Sequence, residues 1–124
     1  MRTLNYVLLS VRSPQASATL YTQLLGVSPV QDSEVFVLYV LPTGLKIGLW
    51  QATDVKPTPR PAGGAELSFT EPSREAVLAT YDAWRALDLK VVMEPTDLPF
   101  GFSFVVEDPD GHRLRPFVLA ARPR

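Results

Sequence analysis

The sequence predicts an α+β fold made of two like modules. Three observations predict it. The 124 residues read twice through the order β-α-β-β-β. A proline- and glycine-rich stretch separates the two readings. A run of matching residue types recurs at the same place in each half. The length suits one compact domain and buries about two-thirds of the unfolded surface, enough for a genuine core.

Residues 3–11 are apolar and β-branched, which suits a strand. Ser13-Pro14 then supplies a capping hydroxyl followed by a residue suited to the first helical turn. Leu20, Leu24 and Leu25 follow at helical spacing, and Gly26 is a left-handed stop, so a helix is expected over 14–25. A short strand over 28–31 and a longer one over 34–41 come next. Pro42-Thr43-Gly44 makes a turn into a strand over 45–51. Residues 53–64 carry Pro57, Pro59, Pro61 and Gly63-Gly64, which suit neither a ladder nor a helix and read as a semi-extended connector.

The second half repeats this order. A strand is expected over 65–70, and Glu71-Pro72-Ser73 opens a helix. Val77, Leu78, Tyr81, Trp84 and Leu87 form its apolar stripe. A strand over 89–94, a loop over 95–99, a strand over 102–107, a turn over 108–111 and a strand over 113–118 complete it. The expected organisation is one domain over 1–124, with modules at 1–52 and 64–120 joined by a linker at 53–63.

The recurring run is Pro42-Thr43-Gly44-Leu45-Lys46-Ile47-Gly48-Leu49-Trp50 against Pro109-Asp110-Gly111-His112-Arg113-Leu114-Arg115-Pro116-Phe117. Each reads Pro-x-Gly, then basic, apolar and aromatic residues at the same offsets. A turn explains only the first three positions, so the rest supports duplication. Strand alternation gives every strand one apolar face for packing under a helix. The other face mixes rings, charges and small residues: Tyr6 and Leu8; Lys46, Gly48 and Trp50; Glu66 and Ser68; Arg113, Arg115 and Phe117. A wall of this composition suits a small-molecule pocket better than open solvent.

Composition excludes other classes. The chain has no cysteine and one histidine, His112. That rules out disulfides, thiolate-bound metals, a cysteine nucleophile and any site built on several histidines. A formal net charge of -1 gives no electrostatic footprint for nucleic acid. No apolar run is long enough for a bilayer, and no signal peptide is read at the N-terminus. The expectation is a cytoplasmic protein with no nucleic-acid or membrane partner.

Val11-x-Ser13-Pro14-x-x-Ser17-x-x-Leu20-Tyr21-x-x-Leu24-Leu25-Gly26 and Asp108-Pro109-Asp110-Gly111-His112-x-Leu114, set in two β-α-β-β-β units, resemble the vicinal oxygen chelate superfamily. That group includes glyoxalases, extradiol dioxygenases and bleomycin-resistance proteins. The resemblance covers residues 4–118. It implies curved sheets around a cup and, in metal-dependent members, four ligand positions filled mostly by His and Glu. These positions fall here on Tyr6, Gly48, Glu66 and Arg115. Only Glu66 suits a metal, and Arg115 is a permanent cation that repels one. The resemblance therefore implies the fold without the metal chemistry, and no cofactor is expected.

Metal-free members that sequester a drug in the cup of a dimer offer the nearest functional pattern. The expected ligand-binding residues are Tyr6, Lys46, Trp50, Glu66, Phe102, Phe104, Arg113, Arg115 and Phe117. Rings would stack on the ligand, and the cations would favour an anionic or acceptor-rich one. A homodimer is expected. No catalytic residue is assigned. Glu66 is the candidate base, against the plainer reading of an ion pair with Arg115 or Arg113. His112 is expected at the surface of its turn. Trp50 is open between ligand platform and dimer contact, and residues 100–104 between lid, core and interface. The competing functions are a lyase, isomerase or dioxygenase of the same superfamily, metal-dependent or using Glu66, and an interaction module.

Overall fold

The computed structural model describes residues 3–59, 61 and 65–121. The chain divides into two compact units, Met1–Ala62 and Gly63–Arg124.

In the first unit, β1 (Tyr6–Val11), α1 (Pro14–Leu25), β2 (Gln31–Asp32), β3 (Phe36–Val40) and β4 (Lys46–Gln51) follow in order. The sheet order is β1-β4-β3-β2. β1 runs parallel to β4, while β3 is antiparallel to both β2 and β4. A parallel pair needs a long crossover, which α1 and the following strands supply. Ser13 Oγ accepts from the Ala16 N–H at 3.2 Å, and Pro14 occupies the first turn. Gly26 ends the helix at φ 71°, a left-handed geometry that favours glycine. Leu9, Val11, Val37, Ile47 and Leu49 are buried with Leu20, Tyr21 and Leu24 of the helix. The Tyr39 hydroxyl reaches this helix as well, meeting Thr22 Oγ1 at 2.9 Å and donating to the Ala18 carbonyl at 3.2 Å. Burial pushes its pKa up, partly offset by the Thr22 hydrogen bond.

The second unit repeats the plan with β5 (Glu66–Thr70), α2 (Arg74–Trp84), β6 (Lys90–Leu98), β7 (Gly101–Glu107) and β8 (Arg113–Leu119). Its order is β5-β8-β7-β6, with β5 parallel to β8. Ser73 caps α2 through the Ala76 N–H at 3.1 Å. Phe104 sits edge-on to Tyr81 and Trp84, with ring centroids 5.1 and 5.8 Å away, and Trp84 meets Phe69 at 5.4 Å. The matching turns are also alike. Gly44 and Gly111 have φ of 93° and 90°. Their N–H groups donate to the Leu41 and Asp108 carbonyls at 2.8 and 3.0 Å. The fold is thus α+β, with two four-stranded mixed sheets that each carry one helix.

Several expectations need correcting. Ala52–Asp54 forms a short 3-10 turn where the connector was expected to hold no helix. The connector's residues 60 and 62–63 lie outside the described set. β2 is Gln31–Asp32, overlapping the expected strand over 28–31 only at its last residue, and β3 is shorter than expected. The expected loop over 95–99 is largely strand, because β6 continues to Leu98 with register shifts between Val91 and Met93 and between Met93 and Thr96, the second of which accommodates Pro95 at the sheet edge. Leu78 is exposed, and Leu87 lies beyond the helix end, so Val77, Tyr81 and Trp84 alone form the inward stripe. His112 is buried, only 4% exposed. The Asp108 carboxylate accepts from the Asp110 and His112 N–H groups, both at 2.9 Å, and this draws the turn inward.

Candidate functional site

Each sheet has its helix on one face, and the residues that alternate away from the core form the other. In the first unit this face holds a pocket of about 310 Å³ lined by Tyr6, Leu8, Phe36 and Trp50. Tyr6 and Leu8 come from β1, Trp50 from β4 and Phe36 from β3, opposite Trp50 in register. The Phe36 and Trp50 rings meet edge-on at 6.1 Å. Between them and β1 lies Gly48. A methyl group there would stand 2.7 Å from Leu8 Cδ2 and 2.9 Å from Phe36 Cε1. Bare backbone at Gly48 is what lets those two side chains close down. Lys46 Nζ lies 4.9 Å from the Tyr6 ring centroid, within cation–π range.

The corresponding face of the second unit holds an open pocket of about 360 Å³ lined by Glu66, Ser68, Phe100, Arg115 and Phe117. Arg115 organises it. Its Nε donates to Glu66 Oε2 at 3.0 Å and its Nη2 to Glu66 Oε1 at 3.3 Å. Its Nη1 donates to Ser103 Oγ at 3.0 Å. Ser68 Oγ donates to Glu66 Oε2 at 2.9 Å. The Phe100 ring lies 5.7 Å from the guanidinium carbon and 6.3 Å from the Phe117 ring. The Arg115 hydrogen bonds hold the Glu66 carboxyl below its ordinary pKa, against the opposing effect of partial burial, with Ser68 assisting. Arg113 extends from the same face of β8 toward Glu107, 3.9 Å away.

The structure brings Tyr6 and Trp50 together in the first-unit pocket, with Lys46 against the Tyr6 ring outside the lining, and Glu66, Arg115 and Phe117 together in the second. Arg113 lies on the pocket face of β8 outside the lining. Phe102 and Phe104, expected among the ligand-binding residues, are corrected. β7 places Ser103 toward Arg115, so its neighbours point to the helix. Phe104 is fully buried against Tyr81 and Trp84. Phe102 is buried with the Arg74 guanidinium 3.9 Å above its ring.

Sequence reasoning did not select Leu8, Phe36, Ser68 or Ser103, and it weighed Phe100 only within the 100–104 segment. Alternation placed Leu8 and Ser68 on the right face, but neither residue type announces a site. Strand pairing would have added Phe36 and Ser103, which face Trp50 and Phe117. Phe100 lies just before β7, and no periodicity reaches it.

The positions that the resemblance marks for a metal do not suit one. Among the described residues no three His, Cys, Asp or Glu side chains gather as a metal site requires. Gly48 offers no side chain, and the Glu66 carboxylate is already held by a permanent cation.

A family model for the Glyoxalase/Bleomycin resistance protein/Dioxygenase superfamily matches residues 3–115. No curated protein matches the chain. Among solved structures, one protein from Agrobacterium tumefaciens, determined by solution NMR, is similar at 38% identity and a TM-score of 0.90, over 98% of this chain and 100% of that one. A glyoxalase/bleomycin resistance protein/dioxygenase from Nocardioides aligns at 20% identity and a TM-score of 0.84, over 100% of this chain and 87% of that one. A glyoxalase-related enzyme from Fulvimarina pelagi aligns at 22% identity and a TM-score of 0.80, over 95% and 88%. The last two likenesses concern the fold alone.

Proposed function

Since this chain belongs to the Glyoxalase/Bleomycin resistance protein/Dioxygenase superfamily, we propose that it is a metal-independent small-molecule-binding protein that sequesters an antibiotic or toxin. One observation carries this reading. At the two marked positions of the second unit, Arg115 and Glu66 hold each other in a two-point ion pair at 3.0 and 3.3 Å. A metal would have to displace a guanidinium from the only carboxylate among the described residues that line that pocket.

The same pair argues against Glu66 as a general base. A carboxylate stabilised as its anion has little affinity for a proton at neutral pH. What the two pockets supply is rings and a few oriented polar groups, the usual composition of a recognition surface. The reading includes a homodimer, supported by the exposed apolar Leu4, Tyr6 and Leu8. It also includes a cytoplasmic location. No helix among the described residues is long and apolar enough to cross a membrane.

The test has two arms. Elemental analysis of purified protein, with thermal-shift titration of nickel, manganese, zinc and iron(II), should give no stoichiometric metal and no stabilisation. Tight metal at one equivalent per chain overturns the reading in favour of a metal-dependent lyase, isomerase or dioxygenase. In the second arm, tryptophan emission is followed across a panel of aromatic and glycopeptide antibiotics. Trp84 is buried in the core, so quenching reports Trp50. A panel that leaves both emission and melting temperature unchanged counts against sequestration.

A further inference from the structure

We propose that the second-unit pocket recognises an uncharged aromatic amide, a flat ring carrying a carbonyl beside an N–H, in preference to an aromatic anion or cation. This rests on the small-molecule-binding reading and narrows it. It also narrows the expectation of an anionic or acceptor-rich ligand to an uncharged one that carries an acceptor.

The two guanidinium groups on this face of β8 are each matched by a carboxylate, Arg115 by Glu66 and Arg113 by Glu107. The pocket is polar with no net charge from these pairs. A ligand carboxylate would face Glu66 while competing with it for Arg115. A ligand cation would face Arg115 while competing for Glu66. Either would lose hydration against a site already neutralised. An amide meets neither repulsion.

Hydrogen-bonding capacity points the same way. A guanidinium has five N–H groups, and Glu66 and Ser103 take three of those on Arg115. One remains on each terminal nitrogen, and both suit a carbonyl. On Glu66, Oε2 accepts from both Arg115 and Ser68, whereas Oε1 accepts only from Arg115. Oε1 therefore keeps a lone pair for an N–H. The remaining lining is Phe100 and Phe117, which offer ring surface beside these groups.

The experiment uses isotope-labelled full-length protein titrated with benzamide, benzoate and benzamidine and followed by amide NMR. These probes share a ring and differ in head-group charge. Benzamide should bind about tenfold tighter than either ion, since a like charge placed opposite Glu66 or Arg115 carries at least that penalty. Its shifts should centre on β5 and β8. Glu66→Gln should tighten benzoate by about tenfold, and Arg115→Gln should favour benzamidine similarly. The wild-type ranking decides the matter even if a variant folds poorly. Tightest wild-type binding of benzoate or benzamidine overturns the proposal, as does binding of none of the three. Both results leave sequestration to be judged by the antibiotic panel, whereas bound metal sinks the sequestration reading whatever the ranking of the three probes.

Discussion

The two units share topology, turn geometry and the register of the first three strands in each sheet order, yet their pockets have opposite chemistry. Tyr6 pairs with Lys46 where Glu66 pairs with Arg113. From that step, Leu8 corresponds to Ser68, Gly48 to Arg115 and Trp50 to Phe117. Phe36 and Ser103 face Trp50 and Phe117 in turn. One backbone plan thus carries an apolar slot in one unit and an ion-paired pocket in the other. Each set of side chains is consistent only within itself. Gly48 leaves room that Leu8 and Phe36 fill, whereas Arg115 fills the same position and needs Glu66, Ser68 and Ser103 around it. A duplicated fold can therefore vary the chemistry of its face while its helix-facing core stays apolar in both halves.

The strongest way to break this comparison is through the cores. Ile47 and Leu114 occupy matching positions and are 3% and 0% exposed. Ile47→Ala and Leu114→Ala should each cost about 2–5 kcal/mol in urea denaturation. A loss below about 1 kcal/mol at either site, too small for a buried truncation, would mean that the two cores are not equivalent.

A smaller effect is expected from exchanging pocket residues. Gly48→Arg brings the second unit's residue into the first without its partners. It forces Leu8 and Phe36 aside and should cost about 1–3 kcal/mol, with a change in Trp50 emission. Adding Tyr6→Glu supplies the missing carboxylate. The double variant should recover part of the loss, with a coupling of about 0.5–3 kcal/mol in a double-mutant cycle. Strict additivity would show that the two faces are not interchangeable position by position.

The smallest effect concerns pH. Glu66 has its folded pKa lowered from an ordinary 4.5. Its contribution is therefore complete above that value and is lost as pH falls through the folded pKa. The pair is partly exposed, so Glu66→Gln should cost only about 0.5–1 kcal/mol at neutral pH. The gap between wild type and variant should close as pH drops below 4.5. A gap that stays constant down to strongly acid pH would show that the carboxylate's charge is not what stabilises this pocket.

Much of this molecule was legible in the chain. Helix 14–25 matched at both ends because Ser13, Pro14 and Gly26 act locally, through a cap, a fixed φ and a left-handed stop. The recurring Pro-x-Gly run marked the two turns and the strands after them for the same reason. The faces of the first and last strands followed from alternation alone. The failures share a cause. β6 runs through Pro95 because a sheet edge tolerates a bulge, and an edge is known only once strands pair. Phe102 and Phe104 looked like site residues by composition, but the start of β7 sets which neighbours turn inward. His112 is the exception: it was expected outside, yet the Asp108 hydrogen bonds in its turn reach only two and four residues along the chain.

The sequence by itself determined the α+β class, the repeated order of elements, the two helices and the poverty of metal ligands, because these depend on residue type and short-range spacing. Tertiary structure decided which residues share a pocket. That Glu66 pairs with Arg115 rather than Arg113, that Ser103 and Phe100 join them, and that Leu8 and Phe36 close over Gly48 all depend on strand pairing between residues far apart in the chain. Side-chain partners are chosen across strands, where register fixes who faces whom, and no local pattern records that register.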